Sequence, residues 1–313
     1  MDGFEMIRYE DSWKEKWDEF VEHSKNGTFL LKRDYMDYHS DRFEDFSLII
    51  KSKGKIYALL PACKSENTLS SHAGLTYGGL IMNERCCAQE ILDLMETLRT
   101  HFMKEGFREW IYKPVPHIYH KMPAEEDLYA LFRINATLKV RNISATLLLS
   151  RKPGLRKLRK RKISQAEKSG ITTGQDEDFP TFWNILEKNL HERYDTRPVH
   201  TLKEMESLVS FFPQNIKLYT SKMGKEVLAG IVCYICDDTV HCQYIASSPL
   251  GKESGALDLL FDRLIDEEFR NKKYFDFGTS NEDNGRYLND KLIFYKEGFG
   301  ARAICYDTYR ISF

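Results

Sequence analysis

Ile216-Lys-Leu-Tyr-Thr-Ser-Lys-Met-Gly-Lys225 opens the stretch whose reading decides the fold. The strand-like run Ile216 to Ser221 meets the turn Lys222-Met-Gly-Lys225, and two more β-branched, apolar runs follow, Val227 to Cys236 and Val240 to Ala246. A helical pattern from Ala256 to Phe269 and a strand from Tyr274 to Phe277 complete the order strand, strand, strand, helix, strand. Working outward, the first half has the same order. Phe46 to Ile50 and Ile56 to Ala62 flank the turn Ser52-Lys-Gly-Lys55, and Thr76-Tyr-Gly-Gly-Leu-Ile81 leads into a helix over 88–105. That helix puts Ile91, Leu92, Met95, Leu98 and Phe102 on one face, and Trp110 to Lys113 returns as a strand. A repeated order without repeated residues predicts an α/β protein (α+β mixed sheets) of two similar lobes, 1–150 and 151–313.

A chain of 313 residues with 42% hydrophobic content can fill two cores, and Trp13, Trp17 and Phe20, at helical spacing, read as core. A net charge of −1 excludes a general nucleic-acid-coating or membrane-coating role, so any anion binding is local. No apolar stretch approaches the roughly 20 residues that span a bilayer, and Met-Asp-Gly-Phe-Glu carries no cationic and apolar leader. The cytoplasm is the expected compartment, and seven cysteines outside any disulfide framework suit it. Cys233 and Cys236 lie on a strand and point to opposite faces, while Cys86 and Cys87 lack a second pair. No metal site is expected, and no His/Asp/Glu cluster at ligand spacing supports a metal hydrolase.

Between the lobes, six of the eight residues in Leu155-Arg-Lys-Leu-Arg-Lys-Arg-Lys162 are basic. Leu155, Leu158, Ile163 and Ala166 form an apolar stripe, which predicts a docked helix with a cationic outer surface. A solvated face and a contact with phosphate or nucleic acid both fit that surface. Charge alone does not separate tRNA, a nucleotide sugar and coenzyme phosphates.

Ser247-Ser-Pro-Leu-Gly-Lys-Glu-Ser-Gly255 joins a strand to a helix and delivers Lys252, Ser254, Gly255 and Ala256 to the helix start, where free N–H groups can cradle a pyrophosphate. A polar turn capped by Ser254 fits the same residues. The loop resembles the pyrophosphate loop of the GCN5-related N-acetyltransferases (GNATs), with Leu257 where that pattern has a small residue. Farther on, Tyr274-Phe-Asp-Phe-Gly-Thr-Ser-Asn-Glu-Asp-Asn-Gly285, Leu288-Asn289 and Phe294-Tyr-Lys-Glu-Gly-Phe-Gly300 follow. With the Ala166-Glu-Lys-Ser-Gly170 that ends the basic helix, these residues resemble the Fem family of peptidoglycan aminoacyltransferases, without the long paired-helix insertion of several of its members. The resemblance implies two tandem acyl-CoA N-acyltransferase-like (GNAT-type) lobes and no tightly bound cofactor. It implies acyl-CoA or aminoacyl-tRNA as co-substrate, tRNA as a partner, and an amine of a small molecule or cell-envelope precursor as acceptor.

Acyl transfer to an amine needs a proton acceptor and a group that stabilises the oxyanion. Lys296, in the Fem-like motif, is the candidate cation; Asp276, opposite Phe275 and Phe277 on its strand, and His241, on one strand face with Gln243, are the candidate bases. Lys32 and Arg33 lie where the resemblance places an acceptor-binding cation. Lys113 and Tyr119 sit in a segment whose path Pro114 and Pro116 fix, Ser70 to Gly79 can shape an acceptor pocket, and Arg159 and Arg161 represent the basic helix. The first lobe has no Gly-rich loop of the phosphate-binding kind, so a single donor site is expected. The leading reading is an N-acyltransferase; an aminoacyl-tRNA-dependent Fem-type enzyme and a non-catalytic binding module are the alternatives.

Overall fold

The computed structural model describes residues 3–313. The chain forms two compact units, one of Met1–Asn142, Asp283–Arg286 and Cys305–Phe313, the other of Ile143–Glu282 and Tyr287–Ile304.

The first unit opens with β1 (Glu5–Arg8), α1 (Lys14–His23), α2 (Arg33–Asp37), β2 (Glu44–Asp45), β3 (Leu48–Ser52), β4 (Lys55–Leu60), β5 (Cys63–Ser65), β6 (Thr68–Ser70) and β7 (Ile81–Met82). It continues with α3 (Ala88–Lys104), β8 (Glu109–Tyr112), α4 (Glu126–Arg133) and the start of β9 (Thr137–Leu148). One sheet has the antiparallel order β1-β3-β4-β7, and another runs β8-β6-β5-β2. Ile91, Leu94, Met95, Leu98 and Phe102 of α3 are fully buried beside Trp110 and Tyr112, so Leu94 takes the place expected of Leu92, which is half-buried. Parallel pairing of β6 with β8 covers Thr68–Glu109, Leu69–Trp110 and Ser70–Ile111.

The second unit holds α5 (Lys157–Lys168), β10 (Thr172–Asp176), α6 (Phe179–Tyr194), α7 (Leu202–Phe211), β11 (Ile216–Met223), β12 (Glu226–Ile235) and β13 (Thr239–Ser247). Then come α8 (Pro249–Ser254), α9 (Ala256–Arg263), β14 (Tyr274–Thr279), β15 (Asn281–Glu282), β16 (Tyr287–Leu288), α10 (Asp290–Glu297) and β17 (Arg302–Ser312). The strand order is β10-β11-β12-β13-β14-β9, with only β13 and β14 parallel among these neighbours. Caps mark the helix starts: Asp178 accepts from Thr181 N, Thr201 and Glu204 form a capping box, and Asn289 accepts from Leu292 N. Phe261, Phe275, Phe277 and Phe299 pack with Ile231, Cys233, Val240 and Cys242 under the sheet. The C-terminal residues do not stay with the second half as the 151–313 division expects. Tyr309 to Ser312 of β17 pair antiparallel with Tyr112 to Glu109 of β8, and this ladder ties Cys305–Phe313 to the first unit.

Candidate active site

In the second unit, parallel pairing of β13 with β14 begins at Thr239–Tyr274 and ends at His241–Asp276. Past that point β13 runs on to Ser247 with its register partners on β12. Cys242 faces Cys233 and Tyr244 faces Val232, so Gln243 is the extra residue of a β-bulge. The expected alternation that put His241 and Gln243 on one face is broken there, and a bulge of this kind re-aims side chains.

Where the parallel pair ends, three of the residues singled out in the sequence meet. Asp276 is fully buried, and its Oδ1 accepts from Ser144 Oγ at 2.5 Å, Thr146 Oγ1 at 2.8 Å and Gly278 N at 3.3 Å. Its Oδ2 lies 2.7 Å from His241 Nδ1. Burial pushes the carboxyl up, but the hydrogen bond and charge of His241, then Ser144 and Thr146, outweigh it and bring Asp276 down to about 2. An anion so fully engaged does not take a proton from a substrate, which removes Asp276 as a base. It instead holds His241 with Nδ1–H donating, so that the neutral ring has its lone pair on Nε2. The His241 side chain is 15% exposed, and at Gly278, φ +80°, an added Cβ would sit 3.4 Å from Cε1 and 4.0 Å from Nε2. Glycine therefore leaves room beside Nε2.

Lys296 is 4% exposed, and its Nζ donates to Gly278 O at 2.8 Å and Thr279 O at 2.7 Å. Burial lowers its amine to about 8, against the opposing fields of Asp276 and Cys242. The expected role for Lys296, stabilising a developing oxyanion, gives way to holding the turn at which β14 leaves β13. A buried ammonium engaged by two carbonyls fixes backbone rather than substrate.

Residues 154–296 match the family described as "Acetyltransferase (GNAT) domain". The fold is a Fem-like tandem of GNAT lobes. FemX superposes with a TM-score of 0.69 at 11% identity, over 99% of this chain and 97% of that chain. L-PGS from Bacillus licheniformis gives 0.62 at 13% identity, over 94% and 90%. A tandem GNAT protein from the clavulanic acid biosynthesis pathway gives 0.52 at 9% identity, over 99% and 98%. No curated protein matches the chain.

The residues expected to cradle a donor in the second GNAT lobe are folded differently from a loop. Pro249–Ser254 is a short helix capped by Ser248, so Ser254 ends α8 rather than capping α9, and Ala256 is buried. Lys252 Nζ donates to Asn189 Oδ1 at 2.7 Å. A Cβ on Gly255 would lie 2.5 Å from Lys162 O, so this glycine admits the close packing of α5. Asp258 already places a carboxylate in the first turn of α9. On α5, Arg159, Ile163 and Ala166 form the inward stripe, while Leu158, expected to be buried, is 40% exposed. Lys157, Lys160 and Arg161 face outward.

In the first GNAT lobe, Lys32 pairs with Glu22. Arg33 is 2% exposed, donating to Asp37 at 2.5 Å and Asp45 at 2.9 Å, with its guanidinium 3.6 Å from the Tyr9 ring centre. That environment makes Arg33 a core residue rather than an acceptor-binding cation. Lys113 Nζ donates to Leu75 O at 3.0 Å, and burial lowers its amine. Tyr119 meets Tyr306 hydroxyl to hydroxyl at 2.8 Å. Among the described residues no helix is long and apolar enough to cross a membrane.

Ser144, Thr146 and Gly278 were not among the sequence candidates. The alternation Ile143-Ser-Ala-Thr-Leu147 carried a signal, because it puts both hydroxyls on one strand face.

Proposed function

We propose that this protein is an N-acyltransferase in which His241, held by Asp276, takes the proton of an acceptor amine. The amine nitrogen attacks the acyl carbonyl carbon of the donor and forms the N–C bond. His241 Nε2 receives the amine proton, and the bond to the donor's leaving oxygen or sulfur breaks with its electron pair. Ionised Asp276 stabilises the imidazolium. The single observation behind this reading is the 2.7 Å His241–Asp276 contact at the end of the parallel pair.

For the donor, we favour aminoacyl-tRNA over acyl-CoA, and an amine of a cell-envelope precursor as the acceptor. The likeness in fold to FemX and L-PGS agrees with this choice, and so does the cationic outer surface of α5, with Lys157, Lys160 and Arg161 exposed. The engagement of Lys252 by Asn189, and the close packing of the Lys162 backbone beside Gly255, leave the GNAT-type pyrophosphate cradle unsupported.

Thermal stabilisation by acetyl-CoA, free CoA and bulk aminoacyl-tRNA tests the choice, because a ligand of the native state alone raises the melting point. Aminoacyl-tRNA should stabilise the protein, with a shift that shrinks steeply in salt and is lost in a Lys157→Ala/Lys160→Ala/Arg161→Ala variant. Stabilisation by CoA alone would overturn the donor. No shift with any of the three would favour the non-catalytic binding module.

A further inference from the structure

The basic segment and the C-terminal motif are separated by more than a hundred residues, yet they are built as one part of the second unit. Arg156 N donates to Gly298 O at 2.9 Å. A Cβ on Gly298 would lie 3.1 Å from Arg159 Cγ, and one on Gly300 would lie 2.6 Å from Pro153 O. The two glycines of Phe294-Tyr-Lys-Glu-Gly-Phe-Gly300 thus let residues 153–159 lie directly on the motif.

At the centre of this contact is Arg159. Its Nη1 lies 2.5 Å from Asp258 Oδ1, with the two side chains 12% and 10% exposed. Its guanidinium also lies 4.5 Å from the ring centre of Tyr295, whose hydroxyl approaches Asp258 Oδ2 at 3.5 Å. One planar cation therefore joins α5, α9 and α10. The next residue along α10 is Lys296, whose ammonium grips the Gly278 and Thr279 carbonyls two and three residues beyond Asp276.

We infer that Arg159 is a positioning residue for the site: by locking Tyr295 against Asp258 it sets the seat of α10, and through Lys296 the turn that orients the Asp276–His241 pair. This rests on the reading of His241 as the base. A buried ion pair is a poor source of stability, since apolar residues of similar volume fill such space as well or better. What apolar residues do not supply is the planar, directional contact with carboxylate and ring together, and lysine does not supply it either.

The test separates positioning from packing. Arg159→Met alone strands Asp258 and is expected to lower the melting point; Arg159→Met/Asp258→Leu removes both charges and should restore it. The imidazole nitrogens of His241 are then read by long-range 1H–15N correlation, with Lys225→Met, exposed in the turn between β11 and β12, as the surface control. Wild type and the control should show a single neutral tautomer with the bare nitrogen at Nε2. The double variant and Arg159→Lys should show a mixture of tautomers, with turnover down roughly 10-fold or more and KM unchanged. A double variant with the wild-type tautomer and wild-type turnover overturns the inference and leaves Arg159 a packing residue. If wild type itself transfers no acyl group, the reading of His241 as the base fails, while the tautomer comparison still decides the role of Arg159.

Discussion

Two parallel strand pairs, one in each unit, run for three residues and then end in different ways. In the first unit, β6 and β8 stop at Ser70–Ile111, and the chain at once bonds across: Ser71 N donates to Ile111 O at 2.8 Å and Gly78 N to Lys113 O at 2.9 Å. Tyr112 Oη accepts from Leu80 N at 2.8 Å, and Gly79 lies against the same ring. In the second unit, β13 and β14 stop at His241–Asp276, and the loop that follows β13 folds into α8 instead of crossing back. The same supersecondary unit thus makes a closed core in one case and the candidate site in the other. The difference lies in what terminates the pair: a serine and an isoleucine under a returning loop, or a histidine and a buried carboxylate.

The sharpest way to break this contrast is to remove the terminating histidine. His241→Gln should lower acyl transfer by about 10²–10⁴-fold, the range for loss of a positioned acid–base group. The melting point should fall as well, because Asp276 loses the hydrogen bond and charge that do most to hold it ionised; retained transfer would put the base elsewhere.

The buried carboxylates of the two units should also respond to pH in opposite directions. Asp276 is depressed from 3.8 to about 2, so its contribution is present above the unfolded value and is lost as pH falls through the folded one, by about 2 kcal/mol. Asp127 of the first unit is fully buried; desolvation raises it to about 6, partly offset by the hydrogen bonds from Tyr112 and Leu128 N. Its contribution is complete below 3.8 and is lost as pH rises through 6, by about 3 kcal/mol. Urea melts from pH 2 to 8 read both, with Asp276→Asn expected to flatten the acid limb and Asp127→Asn the limb near 6. Matching pH profiles for the two variants would contradict the assignment.

Alanine at two of the positive-φ glycines, Gly79 and Gly278, gives a smaller and more discriminating result. Gly79→Ala should destabilise the more, because its Cβ would lie 2.7 Å from the buried Tyr112 hydroxyl at φ +71°. Gly278→Ala should cost about 1–2 kcal/mol for the left-handed backbone and should also slow transfer, since the methyl would occupy space 4.0 Å from His241 Nε2. Smallest of all, Ser70→Ala, at the place equivalent to His241, should stay within about 0.5 kcal/mol and leave transfer unchanged.

The repeated strand order and the helical faces were legible because hydrophobic periodicity is local. His241, Asp276 and Lys296 were legible as residues for the same reason: a polar group on an otherwise apolar strand or motif stands out. Their roles were not, because role depends on partners distant in sequence. Nothing local says that Ser144 and Thr146 satisfy Asp276, or that Lys296 meets the Gly278 and Thr279 carbonyls. The basic helix taught the same lesson. Its periodicity favoured Leu158 as buried, but Asp258 allows Arg159 to take the inward position, and an ion pair across 99 residues leaves no mark on the hydrophobic pattern. Gln243 shows why alternation fails at the site, since one bulged residue moves every later side chain to the opposite face.

The most direct test is the transfer of a labelled aminoacyl group from bulk aminoacyl-tRNA to ethanolamine by wild type and His241→Gln. Wild type should form the amide, and the variant should keep the donor-induced thermal shift while turnover falls by about 10²-fold or more. Equal turnover in the variant would contradict the role of His241.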